Sequence, residues 1–200
     1  MVCPKLAHKR TSRHNLLQRT WCRVANRAGL ATSIEPLDRH LAAEAAQPGS
    51  QGYGNRGDIL FVDLLDLQVG DVSVVHPAGA TELQARKSHK VAGASAAARD
   101  AEKRAKHTAH AGGYTFVPLS VESYGRMGEP AMAFLRLLAD KAAAAGRVDR
   151  GAFIRNAQCE LSVALCRGNA LVFQGCYGCL AKASGSSWSP GAERCSAEVD

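Results

Sequence analysis

The chain of 200 residues is 46% hydrophobic and 22% charged, which suits one globular domain with a sizeable core. Its net charge of +7, from 25 lysines and arginines against 18 acids, favours a polyanionic partner such as nucleic acid. Without a bilayer-length apolar stretch, a signal-peptide pattern or a disulfide framework among its seven cysteines, the sequence predicts a soluble intracellular protein with no membrane partner.

The first predicted element is a helix over residues 13–29, with apolar positions at helical spacing and a glycine at its end. Residues 1–12 are expected to be a disordered remnant of an upstream region. A short strand is predicted over residues 31–36. Residues 37–55, rich in alanine, glutamine and glycine, are predicted to be an exposed insert.

Two apolar runs, 58–63 and 67–76, predict a hairpin of buried strands. An alanine-rich and basic segment predicts one helix over residues 81–113, and a strand at 114–121 and helices at 129–145 and 152–172 follow. Residues 176–200 are expected to be a disordered tail. This order predicts an α/β fold for residues 13–175, in which helices cover a mixed sheet of about four strands.

Asp58 and Asp71 stand at the starts of the two neighbouring apolar runs. Carboxylates at adjacent strand ends can share Mg²⁺, which prefers one or two of them and keeps several waters. Such a metal makes a bound water more acidic and neutralises charge on a phosphodiester, and a lysine can orient that water. Lys103 and Lys106 are the candidates. Both acids also follow a glycine, and from the residues alone the default interpretation is that the acids are ordinary turn residues and the lysines belong to a solvated helix face.

The tripeptide Arg13-His14-Asn15 is followed by Arg56-Gly57-Asp58 and, after twelve intervening residues, by Asp71. This order and spacing resembles the restriction-like endonuclease domain at the C-terminus of site-specific non-LTR retrotransposon polyproteins. In that family an Arg-His-Asn tripeptide precedes a Lys/Arg-Pro-Asp motif, and a second acid follows at a similar distance. The resemblance covers residues 13–173.

The resemblance implies a branch of the PD-(D/E)XK, restriction-endonuclease-like fold, in which the next helix supplies the lysine that Ser73 replaces. It implies Asp58 and Asp71 as ligands of Mg²⁺ or Mn²⁺, and Lys103 or Lys106 as the displaced lysine. Glu35 is expected to be a further acid of the site. Six residues are expected to contact nucleic acid, namely Arg13, His14, Asn15, Arg56, Arg99 and Arg104.

The implied function is nicking of target DNA in the nucleus, to prime reverse transcription. The implied partner is DNA, with the element's RNA as a further candidate. The sequence contains no reverse transcriptase region and only Cys3 of the family's zinc knuckle, so we expect a truncated or separated piece of an element. Gly57 replaces the motif proline and its fixed φ, which leaves enzymatic activity open. A non-cleaving nucleic-acid-binding module and an inert remnant are the alternatives.

Overall fold

The computed structural model describes residues 6–34, 57–63, 66–107 and 114–183, with side chains as far as Tyr177. The described elements are α1 (Ala7–Ala28), β1 (Ala31–Ile34), β2 (Ile59–Val62), β3 (Leu67–Val75), α2 (Ala80–Gln84), α3 (Ala94–His107), β4 (Thr115–Glu122), α4 (Glu129–Ala144) and α5 (Arg150–Ala183). Among these, no helix has the length and apolar character that a membrane crossing requires.

The four strands form one mixed sheet in the order β1-β2-β3-β4. Strand β2 is antiparallel to both β1 and β3, whereas β3 and β4 run parallel, and α2 and α3 connect them along the chain. The predicted hairpin of β2 and β3 and the predicted helix-covered mixed sheet of an α/β protein are confirmed.

Strands β3 and β4 present two different faces because their side chains alternate. One face is apolar, and its Val72 and Leu119, which are register partners, lie in the main hydrophobic core. That core is shared with α1, α4 and α5. The opposite face carries buried polar side chains, among them Asp71, Ser73 and Ser120, and α3 packs over it. The polar face therefore lies inside the protein, under one helix.

Helix α1 ends where the sequence predicts, because Gly29 adopts φ 100° and its N–H caps the last turn. Its apolar side packs into the core, where Trp21 and Phe134 have ring centroids 6.0 Å apart. Its start differs from the prediction. The helix begins at Ala7, so residues 7–12 are helical and not disordered.

Two further predictions need correction. The single helix expected over 81–113 is two helices, because Lys87 (φ 50°) and Gly93 (φ 81°) adopt left-handed conformations between α2 and α3. Helix α5 continues to Ala183, so residues 176–183 are helical although a disordered tail was expected from 176. The predicted insert at 37–55 and the predicted helix end at 112–113 lie outside the described residues.

Candidate functional site

Asp58 and Asp71 lie opposite each other on the hairpin of β2 and β3. Ile59 pairs with Gly70, and the Asp58 N–H donates to the Gly70 carbonyl oxygen at 2.8 Å, so Asp58 faces Asp71 at the next position. Opposed residues of antiparallel strands project to the same face of the sheet. Asp58 precedes β2 as predicted, whereas Asp71 lies inside β3 and not at its start.

Asp71 is only 5% exposed and is held by α3. The Lys103 ammonium donates to both carboxylate oxygens, at 2.8 Å to Oδ1 and 2.7 Å to Oδ2. The His107 Nε2 lies 3.5 Å from Oδ2. Burial raises the pKa of Asp71, and the adjacent Asp58 carboxyl raises it further, while Lys103 opposes both effects. A perturbed, paired carboxyl in a cleft is typical of functional sites.

Asp58 is fixed by α1 and by the backbone of β3. The His14 Nε2 lies 2.8 Å from Asp58 Oδ2, and the Val72 N–H donates to the same oxygen at 2.6 Å. The Gln18 side-chain amide donates to the Asp58 carbonyl oxygen at 2.8 Å. The hydrogen bond to Asp58 is the main cause that raises the pKa of His14. His14, which was expected to contact nucleic acid, therefore pairs with the Asp58 carboxylate of the site.

The structure brings Lys103, and not Lys106, to the two acids. Lys103 is half-buried on Asp71, whereas Lys106 is exposed on α3. His107 lies four residues after Lys103 and so shares its helix face. Its ring stacks on Phe116 with centroids 3.8 Å apart, and it is 6% exposed. The sequence analysis missed His107, although its spacing from a candidate lysine was visible.

The two acids open into a cleft of about 330 Å³. Its charged and titratable lining residues are Arg10, Arg13, His14, Asp58, Asp71, Arg99 and Lys103. Cations therefore surround the two carboxylates. Arg10 and Arg99 are half-buried at this cleft, and Arg99 also pairs with Glu102 at 3.0 Å. A surface of this composition suits a phosphate group that approaches the acids.

The other residues that were expected to contact nucleic acid range from buried to exposed. Arg13 is 6% exposed, and its Nη1 donates to the Asn169 Oδ1 at 2.9 Å, which joins α1 to α5. Asn15 is half-buried beside His14, and Arg104 is exposed on α3. Glu35 and Arg56 lie outside the described residues. The contacts of Arg13, Asn15, Arg56 and Arg104 with nucleic acid stay predictions, and so does the role of Glu35 as a further acid of the site.

The donor set fits a cation that keeps most of its waters. Within the described ranges no group of three or more His, Cys, Asp or Glu side chains is arranged around a common metal position. Mg²⁺ nevertheless needs only one or two carboxylates, and the Asp58 and Asp71 carboxyl groups lie close enough to interact. A cation there has to compete with Lys103 and His14 for the carboxylate oxygens.

Comparison with known proteins found no matching family model and no similar curated protein. Any function assigned to this cleft therefore depends on the residues that line it.

Proposed function

We propose that this chain is a metal-dependent DNA endonuclease domain with a restriction-endonuclease-like fold, of the kind found in site-specific non-LTR retrotransposons. The convergence of Asp58, Asp71 and Lys103 in one cleft supports this proposal most strongly. Asp58 lies directly before β2, Asp71 lies in the neighbouring β3, and Lys103 comes from α3, the second helix after β3. The resemblance likewise implies two acids on adjacent strands and a lysine from a following helix. Nicking of target DNA in the nucleus, to prime reverse transcription, is part of the same proposal.

The residues of the cleft divide the proposed reaction among them. Asp58 and Asp71 would hold Mg²⁺ or Mn²⁺, which would neutralise charge on the phosphodiester and lower the pKa of a bound water. Lys103, whose ammonium already lies beside Asp71, orients the attacking water by donating a hydrogen bond to it. His14 and the Val72 N–H fix the orientation of the Asp58 carboxylate.

The first test is plasmid nicking by the purified chain in Mg²⁺ and in Mn²⁺. We expect the wild type to convert supercoiled plasmid to open circles. Asp58→Asn and Asp71→Asn should each reduce the rate by more than about 100-fold, because the cation loses a charged ligand. Asp140→Asn is the matched control, since Asp140 is an exposed acid that pairs with Arg150 on a different surface. A folded wild type that leaves the plasmid intact with both metals rejects the endonuclease.

A second candidate function is a nucleic-acid-binding module that does not cleave. Each carboxylate already has a partner from the chain, Lys103 on Asp71 and His14 on Asp58, so the pair can be neutralised without a metal. This module should bind DNA with a steep salt dependence and without nicking. An inert remnant should fail both assays, and one without a stable fold should also lack a cooperative thermal transition.

A further inference from the structure

The outer surface of α5 carries a row of exposed, mostly apolar side chains. Successive members are separated by four and three residues in alternation, which is the spacing of one seam of a coiled coil. The members, called the α5 seam below, are Cys159, Val163, Cys166, Ala170, Phe173 and Tyr177. Val163, Phe173 and Tyr177 are 49%, 51% and 61% exposed, although their side chains are large and apolar.

The α5 seam lies on the side of the helix that faces away from the core. The inward side carries Leu161, Leu165 and Val172, which are at most 3% exposed. Ala157 and Ala164 are buried on the same inward side, and at 100° per residue these five inward positions centre about 170° around the helix from the seam. Helix α5 is therefore apolar on two opposite sides. Helices of this kind are normally buried on both sides, and the rest of the described chain covers only one.

We propose that the α5 seam is a self-association surface, on which a second copy of this chain packs its own α5 as a parallel two-stranded coiled coil. The heptad spacing favours a second helix with the same spacing as the occupant. Each seam residue then fits between residues of the facing helix. Val163 and Tyr177 occupy a positions of the heptad, and Cys166 and Phe173 occupy d positions. A β-branched residue at the position of Val163 favours two strands.

Charge at the flanks of the seam favours the parallel orientation. In a parallel pair, Arg155 of one copy lies beside the partner's Glu160, five residues further along, and the charges attract. Glu160 already pairs with Arg27 of its own chain, and its carboxylate can accept from a second guanidinium. In the antiparallel pair that matches the seam, Arg167 instead lies beside the partner's Arg167 and repels it.

The oligomeric state of the full chain tests the surface. Sedimentation equilibrium at micromolar concentration should give the mass of two chains for the wild type. Val163→Glu and Phe173→Glu should each give one chain, because a charge at the seam opposes its own copy. Leu137→Glu is the matched control, since Leu137 is an apolar residue on α4 that is 37% exposed. It should stay dimeric, and circular dichroism should show all three variants folded.

Cross-linking tests the orientation. In one variant, serine replaces every cysteine except the buried Cys22 and the exposed Cys166, so that Cys3, Cys159, Cys176, Cys179 and Cys195 are removed. Mild oxidation by copper phenanthroline should join two chains through Cys166, because the parallel pair brings each such position against its own copy. Moving the thiol with Cys166→Ser and Gln174→Cys, at the flank of the seam, should abolish the product.

Three results overturn this proposal. One is a wild type that sediments as a single chain at tens of micromolar. Another is a dimer that survives both seam substitutions, since the interface then lies elsewhere. The third is a dimer that does not cross-link through Cys166, which rejects the parallel arrangement. None of these measurements uses DNA, Mg²⁺ or Mn²⁺, so the proposal stands or fails separately from the endonuclease.

Discussion

At the scale of single residues, Asp100 is the least expected group in the protein. It lies on α3 under β4, is 4% exposed, and neither carboxylate oxygen forms a hydrogen bond of normal geometry with a described residue. Gly128 leaves it little room, because a Cβ added there would lie 2.4 Å from Asp100 Oδ2. Burial raises the pKa of Asp100 from its ordinary 3.8, while Ser120 and Arg104 offset part of this effect.

The raised pKa gives Asp100→Asn a defined effect on stability. The folded state holds the Asp100 proton more tightly than the unfolded state, so the wild type loses stability as pH rises from about 3.8 through the folded-state pKa. The amide cannot ionise. We expect Asp100→Asn to be more stable at pH 7 by about 1–3 kcal/mol, with the difference vanishing toward pH 4.

Urea unfolding of both proteins between pH 4 and 8 measures this difference. Asp140→Asn, which changes an exposed acid, should shift the unfolding free energy by less than about 0.5 kcal/mol at each pH. A wild type as stable as Asp100→Asn at pH 7 would show that Asp100 is satisfied in the folded protein.

The two candidate lysines are distinguished by a comparison of their alanine variants. Lys103→Ala leaves the buried Asp71 carboxylate without its ammonium partner, so we expect the pKa of Asp71 to rise further and nicking to fall. Lys106→Ala changes an exposed residue and should alter nicking by less than about twofold. Equal losses in both variants would contradict the assignment of Lys103.

Sequence reasoning could pair Asp58 with Asp71 but could not choose the lysine, for a physical reason. The pairing follows from a short hairpin, whose register is local. The choice of lysine depends on which face α3 turns to the sheet. That face depends on the break at Lys87 and Gly93, and Lys87 is not a residue type that signals a left-handed conformation.

At the scale of elements, Gly57 fits the packing between the start of β2 and the side of β3. A Cβ at Gly57 would lie 1.9 Å from Val69 Cγ1, and Val69 is 1% exposed. Gly57, which replaces the motif proline, is therefore required by packing, because the Val69 side chain fills the space that a side chain at position 57 would need. Sequence reasoning treated Gly57 as a loss of rigidity only, because the neighbour that excludes a side chain lies on another strand.

The close approach of Gly57 and Val69 predicts a coupled pair of substitutions. Gly57→Ala should destabilise the domain by about 1–3 kcal/mol, because the new methyl overlaps a buried side chain. In the background of Val69→Ala, the same substitution should cost much less, since the space is then open. Thermal unfolding of the four proteins of this cycle gives the coupling, and additive effects would show that the two residues do not touch.

Element types were largely predictable, whereas several element ends were not, among them the start of α1 and the end of α5. The valine-rich apolar run of β3 and the glycine after α1 are local signals, and both led to the observed elements. Helix α5 is different, because past residue 172 its large apolar residues Phe173 and Tyr177 lie on the outward side. An amphipathic helix is recognised by the contrast between an apolar inner face and a polar outer face, and that contrast is weak there. The continuation of α5 to Ala183 was therefore missed.

At the scale of the whole molecule, part of the positive charge of this basic protein lies at the cleft, where four lysines and arginines line the wall beside two aspartates. Arg10 on α1 and Arg99 on α3 approach the acids from two different elements. A polyanion drawn to this surface meets cations on both sides of Asp58 and Asp71. If nucleic acid is the partner, its phosphates should release counterions as they bind these arginines.

Removing both cleft arginines should therefore weaken DNA binding in a salt-dependent way. We expect Arg10→Gln with Arg99→Gln to reduce the slope of log K against log salt by about 1.8, or about 0.9 for each phosphate contact. Arg136→Gln with Arg150→Gln is the control, because it removes the same charge from exposed arginines that pair with Glu129 and Asp140. The control should keep the wild-type slope. Equal reductions in both double variants would mean that DNA binding depends only on total charge. The cleft would then not be the DNA-binding surface.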